Sequence, residues 1–202
     1  MELTADIVAD EDRFLELEAC ASQPYTDFVF TTAEQAARVR TYLFQRGLSE
    51  FSPPYGRLLR DGGRTVGMLA VLTGAELSRC RLKAGMTLAK SQFLQEDPHL
   101  GPRLQLAGQT LLKVLPDDFY ISRIATVQHE RGRGVGSHLL RQAETEAIAR
   151  ACPRIVLEVS PRSTAALHLY QSGGFRQIDS RRVTDPRSGR SLEYLHLSKL
   201  LT

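Results

Sequence analysis

The feature that most constrains the fold is a glycine-rich stretch between a strand-like run and an amphipathic helix. The strand-like run covers residues 118–127, and the helix after the glycines is predicted from Gly136 to Ala151. Glycine allows the backbone to approach a ligand closely and to take a positive φ. A helix start offers unpaired N–H groups and the positive end of the helix dipole. We therefore predict a phosphate or pyrophosphate site formed by Arg131, Gly132, Arg133, Gly134, Val135, Gly136 and Ser137.

Two common phosphate motifs do not fit this stretch. A nucleoside-triphosphate loop requires a lysine after its glycines, and none follows here. A dinucleotide fingerprint requires G-x-G-x-x-G after the first strand, whereas Gly132, Gly134 and Gly136 alternate. Moreover, roughly forty residues beyond Glu158 are too few for the remainder of a doubly wound sheet. A glycine-rich turn without a ligand stays open as the structural alternative.

The first half of the chain predicts a β-hairpin and several helices. Tyr55–Arg60 and Thr65–Leu72 are strand-like and flank a glycine pair, which is typical of a hairpin. A short strand is predicted over Leu3–Val8, followed by a helix, and a further helix begins at Thr31 or Thr32 and ends at Gly47. Residues 75–116 form helices and lie between two strands, which indicates a helical insertion ended by Pro116.

The second half predicts a buried strand, a short helix and two closing strands. Arg154–Ser160 is apolar and short, as a central strand would be. Ser163 can cap a helix that runs to about Ser172. Phe175–Val183 and Ser191–Leu197 then enclose a polar turn.

Composition limits the class of protein. The 202 residues suit one domain, and 26 basic against 23 acidic side chains give a charge of +3 without the clustered arginines of a nucleic-acid surface. The apolar run Val66–Leu72 is far shorter than a membrane span, and the acidic start does not resemble a secretory signal. We expect a cytoplasmic protein with no nucleic-acid or membrane partner. Its cysteines are predicted to be small buried side chains: Cys20, Cys80 and Cys152.

Two motifs together resemble the GNAT superfamily of N-acetyltransferases. The family's acetyl-CoA signature, [Q/R]-x-x-G-x-[G/A], is matched by Arg131, Gly134 and Gly136. Its second signature, N-x-x-A-x-x-L-Y-x-x-x-G-F, follows at the right distance. Every position but the first matches, through Ser163, Ala166, Leu169, Tyr170, Gly174 and Phe175. Serine in place of asparagine at residue 163 weakens a polar contact near the cofactor.

The resemblance implies an α/β (α+β) fold in a single domain over residues 1–202. Its central sheet would be mixed and mostly antiparallel, with a splayed pair of strands, flanking helices and the insertion at about 75–116. The implied co-substrates are acetyl-CoA and an amine acceptor, with no metal. A homodimer is left open. Acceptor recognition is expected from residues 10–54 and from the insertion, and the acceptor's identity is not indicated.

The resemblance also assigns site residues. The backbone of Ile124, Ala125 and Thr126 would pair with the pantetheine arm of acetyl-CoA. Tyr170 would be the general acid for the departing thiolate, although it could instead be an aromatic core residue. Glu158 is the nearest motif-anchored carboxylate for a general base, with a water chain as the other candidate. A different reading is a GNAT-fold module that binds a CoA thioester without turnover.

Overall fold

The computed structural model describes residues 1–4 and 10–201, in which seven strands form a single sheet. Residues 5–8 of the predicted strand Leu3–Val8 lie outside the described residues. The elements are β1 (Glu2–Thr4), α1 (Glu11–Ala21), α2 (Gln23–Val29), α3 (Ala33–Gln45), β2 (Gly56–Asp61), β3 (Arg64–Thr73), α4 (Gly74–Ala89), α5 (Phe93–Glu96), α6 (Leu100–Gly108), β4 (Phe119–Thr126), α7 (Val135–Ala149), β5 (Arg154–Val159), α8 (Thr164–Ser172), β6 (Arg176–Thr184) and β7 (Ser191–Leu200).

The strand order is β1-β2-β3-β4-β5-β7-β6, and the only parallel pair among the described strands is β4 with β5. That pair is short, because only Phe119 and Tyr120 of β4 are in register with β5. In contrast, β4 pairs with β3 over its whole length. From Ile121 onward, the β5 side of β4 has no strand partner within the described part of the chain. The predicted mixed, mostly antiparallel sheet with a splayed pair of strands is confirmed.

The core lies on both faces of the sheet because side chains alternate along each strand. On one face, Leu69 of β3 packs in a cluster with Leu139 of α7 and Ile155 of β5. On the other face, the adjacent Met68 packs with Phe14 of α1. Since β3 is covered on both faces, seven consecutive residues from Val66 to Leu72 include no charged side chain and read as one apolar run.

The helical insertion between β3 and β4 is confirmed. It begins with a capping box in which Glu76 accepts a hydrogen bond from the Thr73 N–H at 2.7 Å, and Thr73 Oγ1 accepts one from the Glu76 N–H at 3.3 Å. Helical structure ends at Gly108, so the prediction that it continues to Pro116 was wrong. The insertion packs on α2, a helix that the sequence patterns did not reveal, through a cluster including Phe28, Phe93 and Leu100.

Local signals predicted the other elements well. Thr32 caps α3 by accepting a hydrogen bond from the Gln35 N–H at 3.1 Å, and Gly47 follows the helix with a φ of +63°. The hairpin of β2 and β3 is confirmed. One burial prediction was wrong, because Cys20 is exposed while Cys80 and Cys152 are buried.

Candidate functional site

A cleft of about 1870 Å³ opens where β4 and β5 separate. One end is lined by the unpaired part of β4, the glycine-rich stretch and α8. The other end reaches between α2, α3 and the insertion helices. The residues of the sequence motifs therefore share one cleft with helices that are distant from them in the sequence.

The glycine-rich stretch forms the turn into α7. Gly132 and Gly134 have φ values of +78° and +80°, and Gly134 is the N-cap residue. A Cβ at Gly134 would meet no heavy atom within 4 Å, so the backbone conformation, and not space, requires glycine there. A Cβ at Gly136 would lie 3.2 Å from Leu169 Cδ2, so glycine there allows α8 to approach closely. The first N–H groups of α7, which have no partner within the helix, therefore lie at the cleft.

The cations predicted beside this turn have different surroundings. Arg131 lines the cleft, whereas Arg133 lies outside its wall and forms an ion pair with Glu130 at 3.1 Å. Arg162 also lines the cleft, although no sequence motif pointed to it. Val135 is buried in the core, and both Val135 and Ser137 line the cleft.

The residues assigned to the pantetheine arm lie on β4 beyond its last contact with β5. Ile124, Ala125 and Thr126 all line the cleft, and each pairs with β3 on the opposite edge of the strand. Ile124 and Ala125 pack into clusters on opposite faces of the sheet. Their strand edge toward β5 is therefore available for backbone hydrogen bonds.

Tyr170 lies on α8, with its ring centroid 5.7 Å from that of Phe175. The side chain is 7% exposed and lines the cleft. Burial raises the pKa of Tyr170 to about 12. Among the described residues its hydroxyl has no hydrogen-bond partner, so a protonated hydroxyl is free at the cleft.

Ser163 precedes α8 as its N-cap residue, but its side chain makes no capping hydrogen bond. The prediction that it caps this helix through its side chain was therefore wrong. Ser163 lines the cleft, so its hydroxyl is left for another partner.

Glu158 lies on β5 across the splay from β4, and its carboxylate is held from two sides. It accepts a hydrogen bond from the Tyr120 hydroxyl and another from the Leu112 N–H at 2.7 Å. Burial raises the pKa of Tyr120 well above its usual value, and the charges of Glu158 and Glu50 add to the effect. The Tyr120 hydroxyl therefore stays a proton donor to Glu158.

A charged network next to this pair was not selected from the sequence. Glu50 accepts hydrogen bonds from Arg81 Nε and Ser122 Oγ, both at 3.1 Å, and lies 3.4 Å from Arg123. Burial by itself raises the pKa of Glu50, but Arg81 and Arg123 more than offset this, so the pKa is lowered. Arg123 also pairs with Glu18 at 3.1 Å. These partners are between 31 and 105 residues apart, and no sequence motif links them.

Two features are absent from the described residues. These residues contain no group of three or more histidine, cysteine or acidic side chains that could hold a metal ion. None of their helices combines the length and apolar character needed to cross a bilayer.

Solved structures of acetyltransferases share this fold at low sequence identity. An N-acetyltransferase from Staphylococcus aureus Mu50 superimposes with a TM-score of 0.62 and 15% identity, covering 98% of this chain and 100% of that one. A ribosomal-protein-alanine N-acetyltransferase from Brucella melitensis gives 0.58 and 15%, covering 100% of both chains. A Bacillus subtilis acetyltransferase in complex with CoA gives 0.56 and 16%, covering 100% of this chain and 97% of that one.

Sequence comparison gives the family directly. No curated protein sequence matches this chain. The family model for the acetyltransferase (GNAT) family matches residues 23–175, which include the splayed strands, the glycine-rich turn and α8. Because that match covers most of the sequence and the fold agrees with it, the chain belongs to the GNAT acetyltransferase family.

Proposed function

We propose that the protein is an acetyl-CoA-dependent N-acetyltransferase, which moves an acetyl group to a primary amine by direct attack in a ternary complex. The observation that carries this proposal is the unpaired edge of β4, which leads to the glycine-rich turn at the start of α7.

Each of the four hydrophobic clusters includes residues of the one sheet. We therefore also propose that residues 1–202 act as one domain.

The proposed binding of acetyl-CoA uses two kinds of backbone group. The β4 backbone from Ile124 to Thr126 would pair with the amide groups of the pantetheine arm as an added strand would. The pyrophosphate would accept hydrogen bonds from the N–H groups of Gly132 and of residues 134–137, at the positive end of α7. The N–H groups of Arg131 and Arg133 already donate to the carbonyls of Gln128 and Glu130. The uncommitted Ser163 hydroxyl supplies a further polar contact.

The proposed reaction needs one proton donor and one proton acceptor. The amine nitrogen attacks the thioester carbonyl, a C–N bond forms, and the C–S bond breaks to release the CoA thiolate. Tyr170 donates its hydroxyl proton to that sulfur, and its high pKa keeps it protonated at neutral pH. Holding both reactants in one cleft supplies much of the rate enhancement.

We propose Glu158 as the acceptor of the amine proton. Its carboxylate lies at the point where β4 and β5 separate and lines the same cleft as Tyr170. Two of its lone pairs bind Tyr120 and the Leu112 N–H, and a carboxylate has about four acceptor sites. The Tyr120 hydrogen bond thus orients the group without using all of its capacity.

A thiol-release assay tests the proposed activity. With acetyl-CoA and a broad panel of amines, we expect CoA thiol to appear only when an amine is present, with one N-acetylated product for each thiol released. Calorimetric binding of CoA without release for any amine would favour a non-catalytic CoA-binding module. No CoA binding at all would contradict both functions.

The backbone conformation of Gly134 is predicted to matter for CoA affinity. Gly134→Ala places a Cβ at a φ of +80°, where an L-residue costs about 1–2 kcal/mol. If the turn relaxed to relieve this strain, its N–H groups would point away from the pyrophosphate. CoA binding would then have to restore the strained conformation. We expect the Kd for CoA, measured by calorimetry, to rise about tenfold.

Gly63→Ala is the matched control for that variant. Gly63 has a φ of +79° and equally open surroundings, but it lies in the hairpin of β2 and β3 and outside the cleft. It should cost similar stability without changing the Kd. Equal Kd values for both variants would contradict a role of the Gly134 turn in binding.

A further inference from the structure

The cleft continues beyond the residues proposed to bind CoA. Its volume of about 1870 Å³ exceeds the roughly 300–1,000 Å³ that one ligand usually occupies. The extension lies between the insertion helices and is lined mainly by apolar side chains and glycines. We call it the insertion branch and define it by Ala84, Gly85, Leu94, Leu104, Gly108 and Leu111.

The insertion branch starts beside the proposed reaction centre. Arg81 of α4 donates a hydrogen bond to the Tyr120 hydroxyl at 3.2 Å, and Tyr120 in turn binds Glu158. From Arg81 the same face of α4 follows the cleft as far as Ala89, a distance of roughly 12 Å along the helix axis. A molecule in the branch would therefore have one end at the splay and the other end between α4 and α6.

The walls of the branch leave unfilled space. Gly85 and Gly108 are exposed, and a Cβ at either position would have no heavy atom within 4 Å, so the branch is open to solvent there and a larger side chain would fit. Leu104 and Leu111 contact the same space and are only partly buried. Partly exposed leucines in a concave wall gain free energy from contact with an apolar ligand.

The charges around the cleft do not favour a polycation. Five arginines and five acidic residues line it, so the two signs balance. Most of the carboxylates also have cationic partners within the chain, such as Arg13 for Glu16 at 2.7 Å and Arg81 for Glu50 at 3.1 Å. The lining residues are Arg13, Arg81, Arg123, Arg131 and Arg162 with Glu16, Asp27, Glu50, Glu130 and Glu158.

Two tyrosines provide neutral polar groups in the cleft. Tyr25 and Tyr194 line the cleft, and burial raises the pKa of both hydroxyls, that of Tyr25 to about 12. They are neutral at physiological pH and suit a ligand that has isolated polar atoms.

We propose that the acceptor is a primary amine with a single extended, uncharged apolar body, which lies in the insertion branch while its amine meets the thioester near Glu158. This proposal rests on the proposed acetyl transfer and names the substrate class of the same site. The insertion is thus the specificity element of this chain.

A panel of simple amines tests the substrate class. The ratio of kcat/KM for n-octylamine to that for ethylamine should be at least about a hundredfold, because the six additional methylenes leave water. Phenethylamine should also exceed ethylamine, and spermidine should be the poorest acceptor. Turnover in which ethylamine or spermidine equals n-octylamine would overturn this proposal alone. Turnover with none of the amines would overturn the proposed function as well.

Filling the branch tests its location. Gly85→Leu adds a side chain to the branch wall at an ordinary helical position, and we expect the n-octylamine to ethylamine ratio to fall about tenfold or more. Lys83→Leu is the control, since it adds the same side chain to α4 outside the cleft and should keep the ratio. Gly108→Ala provides a smaller step in the opposite wall, should Gly85→Leu not fold. An unchanged ratio in the folded Gly85 or Gly108 variant would overturn the assignment.

Discussion

Replacing Tyr170 with phenylalanine is expected to lower kcat about a hundredfold or more, because general acid catalysis typically contributes about 10²–10⁴. The phenylalanine ring retains the contact with Phe175, so the variant should keep its fold and its affinity for acetyl-CoA. The leaving thiolate, however, loses its proton donor. Steady-state thiol release gives kcat, and calorimetry gives the Kd for CoA. An unchanged kcat would remove the general-acid assignment.

The pH profile of the wild-type enzyme adds an independent check. Because burial raises the pKa of Tyr170 to about 12, the donor stays protonated across the neutral range. We expect no loss of kcat from Tyr170 on the basic side until the pH approaches that value.

In the same assay, Glu158→Gln should lower kcat while leaving Tyr170 in place, and an activity equal to wild type would leave a water chain as the proton acceptor.

Replacing Arg123 with methionine is expected to lower the free energy of unfolding by about 1.5–3 kcal/mol, because Glu18 keeps Arg40 and Glu50 keeps Arg81 as a cationic partner. Arg123 lies 3.1 Å from Glu18 and 3.4 Å from Glu50, and the Glu18 side chain is only 2% exposed. Methionine replaces much of the apolar length but leaves these carboxylates with fewer cationic partners. Unfolding in urea, monitored by circular dichroism, measures the loss.

Arg38→Met is the matched control for Arg123→Met. Arg38 pairs with Glu96 at 3.1 Å, but the two side chains are 45% and 43% exposed. Solvent screens such a pair, so its loss should cost much less than the loss of the Arg123 contacts. Similar losses for both variants would contradict the idea that burial sets the value of the Arg123 contacts.

The same network determines a pH dependence. Burial raises the pKa of Glu50. The charges of Arg81 and Arg123 more than offset that effect, so the pKa of Glu50 is lowered overall. A carboxyl group whose pKa is lowered in the folded state stabilises the fold at pH values above its pKa in the unfolded chain, about 4.3. It loses that contribution as the pH falls through the folded-state pKa. We expect wild-type stability to decline in this acidic range, and Arg123→Met to show a weaker decline.

Local sequence patterns predicted the elements at one end of the cleft. The turn from Arg131 to Ser137 is contiguous, and Ala166, Leu169 and Tyr170 lie on one helical face because of their spacing. Backbone conformation and helix periodicity act over a few residues, so patterns of this kind are legible before any packing is known. The hairpin, the caps of α3 and the presence of a helical insertion were predictable for the same reason.

The other end of the cleft was decided by tertiary structure. The ion pairs of Glu50 join α4 and β4 to the segment before β2, and Tyr120 meets Glu158 across a gap of 38 residues. Helix α2 and the exposure of Cys20 also depended on how the insertion and the N-terminal helices pack.

The sequence by itself therefore determined the glycine-rich turn, the helix that follows it and the motif that contains Tyr170. Only the tertiary structure decided the partners of Glu158, the charged network and the insertion branch. The physical reason is that a turn or a helix is selected by neighbours within a few residues, whereas the shape and charge of a cleft come from side chains that burial brings together from distant segments.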